Sequence, residues 1–328
     1  MAEPSGATLP AMALGIPAVR VGCWTSPTHP TGCTVVLPPA GTVGGACVRG
    51  GAPGTREVAA LSPTGSVNEC HAVLLTGGSA FGLAAADGVM AWCESQGLGF
   101  ETATARVPIV GAAVVFDLRV EGQPRPDRDA GWAACEAAVD ADPAQGSVGA
   151  GAGCTVGKVA GRDHVTKGGQ GWAVTTRAGV TVGALMVVNA VGEVLAEDGS
   201  VLAGTTAPPG APRFPDASAE QIAGWAKGAE GSNTVIGCVV TDARLTKSGV
   251  CRVADLAHGG IARAVHPPHT SMDGDTMFAL ATGAVQPEGG HAVDLVADLA
   301  ASAVAAAVRA AVRHATPIDG APVDPRSR

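Results

Sequence analysis

Gly231-Ser232-Asn233-Thr234-Val235-Ile236-Gly237-Cys238-Val239-Val240-Thr241-Asp242 changes character at Thr234, and that change organises the chain around it. Residues 228–233 are polar and Gly-rich, which predicts a flexible surface loop. From Thr234 onward, β-branched and apolar residues predict a buried strand over 234–242. A hydroxyl residue thus begins a core strand where a loop ends. If the bond before it breaks, Thr234 carries a nucleophilic hydroxyl and a free α-amine able to take its proton. The same Asn-Thr pair also fits an ordinary loop residue followed by an ordinary strand.

Outward from this point, apolar runs predict strands over 34–38, 72–75, 180–191 and 276–285, and a strand pair or a bulged strand over 107–118. Helices are expected over 79–94, 129–139, 219–227, 252–265 and 293–315. Ser79 is read as the N-cap of the first, with Phe81, Ala85, Met90 and Trp92 on its apolar stripe. Gly259-Gly260 is expected to interrupt the fourth. Leu295, Leu299, Val304 and Val308 mark the buried side of the last. Residues 146–161 form a Gly/Ala loop entering a strand, and 204–218 a surface loop. Strands and helices alternate irregularly, which favours α+β layers over a regular parallel sheet. No repeat and no linker divides the 328 residues, so a single domain over 1–328 is expected.

Composition narrows the function. A net charge of −8 argues against a nucleic-acid surface or a polybasic membrane patch, so neither nucleic acid nor membrane is expected as a partner. Residues 1–18 lack the charged and apolar regions of a signal peptide, and the apolar run at 178–192 is too short to span a bilayer. Nine scattered cysteines without a CxxC pair read as reduced thiols, and a cytoplasmic location is expected. Positive charge is carried by seventeen Arg and only four Lys (Lys158, Lys167, Lys227 and Lys247), so each lysine invites a question, because an ammonium can lose its proton when buried.

Several motifs have a plain reading beside a functional one. The run Gly146 to Lys158 fails the phosphate-loop pattern, with Ala152 where its first Gly belongs and Val159 where Ser or Thr would hold Mg²⁺. It fails the dinucleotide pattern as well, with Cys154 at the third glycine. That leaves Lys158 as an unexplained cation. His266-Pro-Pro-His269 with Asp273 has metal-ligand residue types, but its prolines forbid the helix of an HxxH site. Asn189, inside an apolar strand, either pins a neighbouring loop or donates to a ligand oxygen. Asp273-Gly-Asp275 is a turn former that could also hold an ammonium or a hydroxyl.

Together, Val107-Pro-Ile-Val with Val115-Phe-Asp-Leu118, Ala152-Gly-Cys-Thr-Val-Gly-Lys158, Val187-Val-Asn-Ala-Val-Gly192, Gly231-Ser-Asn-Thr234 and the run His269 to Ala279 resemble one family. It is the family of self-processing amide hydrolases that includes nylon-oligomer endohydrolases, L-aminopeptidase/D-esterases and β-aminopeptidases. The resemblance runs from about Ala18 to the C-terminal helix. The Asn-Thr junction and both aspartates favour the nylon-oligomer branch.

The resemblance implies an αββα sandwich and a precursor cleaved between Asn233 and Thr234 into chains of 1–233 and 234–328. It implies αβ units assembled into a tetramer and a site without metal or cofactor. Thr234 takes the role of nucleophile and Lys158 that of the catalytic lysine, which Lys167 fits less well. Asn189 falls on the oxyanion side, and Asp273 and Asp275 form the acidic pair. Phe116 stands where nylon-oligomer hydrolases have tyrosine, and the chain has no Tyr at all. The expected substrates are linear amides such as 6-aminohexanoate oligomers. The alternatives are short peptides, amides or esters cleaved by an aminopeptidase, or a binding homologue that has lost catalysis.

Overall fold

The computed structural model describes residues 12–226 and 233–328. Residues 228–232 of the loop anticipated at 228–233, and Lys227 at the end of the helix anticipated at 219–227, therefore lie outside the described residues.

Two five-stranded sheets stack face to face. In the first, the order is Arg20–Thr25, Gly32–Leu37, Ala72–Thr76, Val110–Val114 and Thr55–Arg56. In the second it is Gly169–Arg177, Val180–Asn189, Thr234–Ala243, Thr276–Val285 and Val43–Val48. Helices Ala85–Ser95 and Arg128–Glu136 cover the outer face of the first sheet, and Lys247–Ala264 and Ala292–Arg313 that of the second. The result is the four-layer αββα sandwich.

The apolar runs are uninterrupted because both faces of the second sheet are buried. Leu185, Val187, Ile236 and Cys238 point into the layer between the sheets, while Ala184, Met186, Val188, Val235 and Val239 point toward the helices. Alternate residues thus feed two different cores. The helix Ala292–Arg313 is long and apolar enough to cross a membrane. Leu299, Val304 and Val308 lie instead in the helix-side core.

Several elements differ from expectation. Residues 79–94 split into a 3₁₀ turn, Ser79–Ala84, and the helix Ala85–Ser95. Ser79 has φ of 54° and caps nothing, and Phe81 is 61% exposed instead of joining an apolar stripe. Of the two readings of 107–118, that of two strands is the one observed, as Arg106–Val107 and Val110–Val114 on either side of Pro108, though it stops short of 115–118. The helix expected from 252 starts at Lys247, because the Thr246 hydroxyl accepts from the Gly249 N–H at 3.2 Å. Gly259-Gly260 does not break it. A Cβ on Gly260 would stand 2.3 Å from the Ala301 carbonyl oxygen, so this glycine lets the two outer helices touch.

The Gly/Ala loop ends differently too. Lys158 begins a 3₁₀ turn, Lys158–Ala160, and does not enter a strand. Lys167 is 1% exposed, and its ammonium donates to the carbonyls of Gly151 at 2.8 Å and Gly168 at 3.1 Å. Burial pulls its pKa down to about 8. Lys167 is therefore an internal tie for the loop that delivers Lys158. Lys167→Ala should leave a cavity, take the ammonium donor from two carbonyls and cost about 2–4 kcal/mol in denaturant unfolding. Lys167→Met, which fills the space without a charge, should cost less.

Candidate active site

Strand register assembles the site. Asn189, the last residue of its strand, pairs with Thr234, the first residue of the next. On the other side, the strand beginning at Thr276 runs parallel, with Ile236 opposite Thr276. The Asp273-Gly274-Asp275 turn that feeds this strand therefore lies beside Asn233 and Thr234, with a bridge between Asn233 and Asp273. One antiparallel and one parallel neighbour bring a strand end, a strand start and a turn together at one edge of the sheet.

Lys158 comes from outside the sheet. Gly157 holds φ of 73°, and a Cβ there would stand 2.2 Å from the Gly204 carbonyl carbon, so only glycine fits this turn. The turn points the Lys158 ammonium at Asn189, donating to its backbone carbonyl at 2.7 Å and its side-chain Oδ1 at 3.1 Å. Asn189 Oδ1 also accepts from the Thr155 N–H at 3.0 Å, and Asn189 Nδ2 donates to the Phe116 carbonyl at 3.0 Å. Asn189 thus ties two chain segments, 155–158 and Phe116, to the edge where Thr234 begins, and the plain reading of a pinned loop holds alongside any chemical role.

Thr234 is buried, and its hydroxyl donates to the carbonyl oxygen of Asn233. The same oxygen accepts from the Gly274 N–H at 2.9 Å. Asp275 accepts from the Val235 N–H at 2.6 Å and from the His269 ring at 2.7 Å. Asp273 accepts from the N–H and hydroxyl of Thr270 at 2.8 and 2.6 Å. Both carboxylates are thus anchored next to the nucleophile position by neighbouring donors.

Burial sets the protonation of the site. It pulls the Lys158 ammonium down to about 7, with Arg162 and Arg119 acting the same way and Asp273 opposing. Burial, and then the adjacent Asp275 charge, pushes Asp273 up to about 6. A lysine and a carboxyl that exchange protons near neutrality are suited to acid–base work. Cys154, close by, is no rival nucleophile, because burial pushes its thiol up to about 12.

His266 and His269 do not form a metal site with Asp273. His266 is exposed, the His269 Nδ1–H is committed to Asp275, and among the described residues no three His, Cys, Asp or Glu side chains could hold a metal. His269 serves as a ring partner of Asp275, in edge-on contact with His258 at 4.9 Å between centroids. Lys167 lies apart, turned toward Gly151 and Gly168. The sequence reading missed the Gly274 N–H, although its place between two aspartates was visible. Phe116 and Thr234 line one side of a cleft of about 510 Å³ whose other walls include Ala52, Pro53, Gly54 and Ala80.

The model of peptidase family S58 matches residues 14–323. An uncharacterized aminopeptidase of Mycobacterium tuberculosis (strain ATCC 25618 / H37Rv) is 48% identical over 270 residues, covering 79% of this chain and 76% of its own length. A 6-aminohexanoate-oligomer endohydrolase of Agromyces sp. (strain KY5R) is 34% identical over 277 residues, covering 82% and 74%. The nylon-oligomer likeness is therefore present, but the mycobacterial chain shares more residues. Among solved structures, a Burkholderia sp. β-aminopeptidase superposes with a TM-score of 0.69 at 23% identity, over 95% of this chain and 89% of that one. The L-aminopeptidase D-Ala-esterase/amidase of Ochrobactrum anthropi, described as a variant of the Ntn-hydrolase fold, gives 0.69 at 19% identity over 95% and 90%. At those identities the superpositions speak for the fold. The chain belongs to peptidase family S58 and is an amide-bond hydrolase.

Proposed function

We propose that the chain is a precursor that cuts itself between Asn233 and Thr234, and that the freed Thr234 hydrolyses linear amides. The observation that carries this reading is the double hold on one oxygen: the Thr234 hydroxyl and the Gly274 N–H both donate to the Asn233 carbonyl. Attack by Thr234 Oγ on that carbonyl carbon would place the developing oxyanion on the Gly274 N–H, a donor of the kind worth roughly 10²–10³ in rate. Lys158, neutral, takes the hydroxyl proton and returns it to the Thr234 nitrogen as the C–N bond breaks. Water then cleaves the resulting ester, leaving an Asn233 carboxylate and a free Thr234 amine.

The fragments 1–233 and 234–328 would stay together. The new N-terminus begins a ten-residue strand paired on both sides, with Val180–Asn189 and with Thr276–Val285. In the mature enzyme, Thr234 Oγ attacks the substrate carbonyl, its α-amine or Lys158 takes the proton, and Asn189 with nearby N–H groups steadies the oxyanion. Asp273 and Asp275 orient the new amine. Water releases the acyl group.

The substrate class rests on two supports. The cleft beside Thr234 is walled by small and apolar residues, which suits an unbranched acyl chain such as that of 6-aminohexanoate oligomers. The 34% identity to an endohydrolase of those oligomers points the same way. Short peptides are the second reading, favoured by the 48% identity to a chain named as an aminopeptidase. Assembly into tetramers is part of the proposal through the family resemblance. A cytoplasmic location is supported by nine free thiols, seven of them buried.

Intact-mass analysis with N-terminal sequencing of the purified protein should show chains of 233 and 95 residues, the second starting at Thr234. Thr234→Ala should remain one chain with no amidase activity, and full activity in an uncut chain would falsify the assignment. Because burial lowers the Lys158 pKa, the neutral amine accumulates as pH rises, so kcat/KM should climb through pH of about 7. Lys158→Arg, which cannot release its proton, should lose that limb and about 10²–10⁴ in rate. Persistence of the limb in Lys158→Arg would assign it to another group. Phe116→Tyr, at the wall of the Thr234 cleft, should raise turnover of 6-aminohexanoate oligomers about tenfold if its hydroxyl reaches the oxyanion. Product release followed by mass spectrometry, on these oligomers and on short peptide amides, also separates the two substrate readings.

A further inference from the structure

A second cleft, of about 610 Å³, shares Phe116 as a lining residue with the first. Its lining includes Phe116, Asp117, Arg119, Thr155, Lys158 and Arg162. Two guanidiniums and the Lys158 amine therefore line one concavity, against a single carboxyl group. That carboxyl is turned inward: Asp117 is 3% exposed, accepts from the Gly78 N–H at 2.7 Å, and is pushed up to about 6 by burial.

The two arginines are set differently from most others in the protein. Nine arginines lie within 4.0 Å of a carboxylate. Among the described residues Arg119 and Arg162 have no such partner. Arg119 is held by backbone carbonyls, donating to Asp319 at 2.9 Å and Gly153 at 3.3 Å. Arg162 lies over the Phe116 ring, 5.4 Å from its centroid. Burial and then the Arg119 charge act against the Arg162 charge, so the two guanidiniums are within electrostatic reach of one another. Two like charges gathered at the wall of one cleft, where Asp117 and Asp319 act on Arg119 from a distance but no carboxylate among the described residues pairs directly with either guanidinium, form a receptor for an anion. A guanidinium presents its N–H groups as a planar fork that matches a carboxylate.

We propose that this cleft binds the free carboxylate of a short linear amide substrate, with Arg162 and Arg119 as specificity-determining residues. The proposal rests on Thr234 as the nucleophile, because that residue lines the adjoining cleft. It narrows the substrate class: chains that end in a carboxylate near the scissile bond are preferred over the same chains capped as carboxamides. Phe116 then separates the reacting carbonyl from the anchored charge, and its ring supports Arg162 from one side.

The test uses matched pairs on the processed enzyme: the 6-aminohexanoate linear dimer and its carboxamide, and alanyl-alanine and its carboxamide. The first pair reads an ω-amino-acid carboxylate and the second a peptide carboxylate. For at least one pair, kcat/KM should favour the free acid by about tenfold or more, the scale of a charge-assisted hydrogen bond. Arg162→Gln should abolish that preference, chiefly through KM, when acid and carboxamide are compared at the same pH, so that any change at Lys158 affects both alike. Arg162→Lys should restore it in part. Intact mass on each variant shows whether processing is complete. Binding is measured in parallel by calorimetry with 6-aminohexanoate and 6-aminohexanamide, so the subsite can be judged even where neither dimer is cleaved and the substrate reading of Thr234 fails. Acid-selective binding that weakens with salt and disappears in Arg162→Gln supports the cleft. Equal handling of acid and amide by the unmodified enzyme, or an equal loss for both in Arg162→Gln, overturns it.

Discussion

The rest of the site depends on the two-sided pairing of the strand Thr234–Ala243. Its antiparallel neighbour ends at Asn189 where it begins, and its parallel neighbour is entered through Asp273-Gly274-Asp275 at the same edge. A slip of one residue would exchange the faces of Val235 and Ile236, sending helix-side residues into the layer between the sheets. The two cores accept only one register. Packing far from the chemistry thereby holds Thr234 against the turn that carries the Gly274 N–H.

That rigidity makes it possible to bury charge. Lys158 and Asp273 both sit where water cannot easily solvate them, and each answers by moving its pKa toward neutrality. Neither is abandoned: the ammonium has the carbonyl and Oδ1 of Asn189, and the carboxylate has two donors from Thr270. A buried lysine tuned in this way can act as base or acid at ordinary pH, which a surface lysine cannot. Lys167 shows the contrast. It is more fully enclosed, and its bonds go to the loop carbonyls of Gly151 and Gly168, so it secures the loop that positions Lys158.

The electrostatics also divide the active-site surface. On one side of Phe116 the walls are small and apolar, and on the other they are cationic. An amide hydrolase must hold a neutral bond in place, and a molecule that ends in charge offers a stronger handle than the bond itself. The juxtaposition of an apolar slot and a pair of arginines suits a short chain with a charged end.

Much of this was legible from the sequence alone. The change of character at Thr234, the strand Thr276–Val285, the long helix, and the rarity of lysine are local properties written in residue order. Periodicity and composition report them because they depend on neighbours in the chain. Burial on both faces was visible in the unbroken apolar runs. What residue order could not carry was the partner of each side chain. Ser79 resembles a cap, yet positive φ and a 3₁₀ turn deny it that role, and Phe81 resembles a core residue, yet it faces solvent. Gly259-Gly260 resembles a break until Ala301 is seen against it. His269 has the chemistry of a metal ligand, and only its contact with Asp275 shows its bond is already made. Arg119 and Arg162 lie 43 positions apart in the chain (162 − 119), and nothing local marks them as a pair. Local pattern decided which segments are strands, helices and turns. Tertiary structure decided which charges meet, because meeting depends on register and close approach between segments that the sequence keeps far apart.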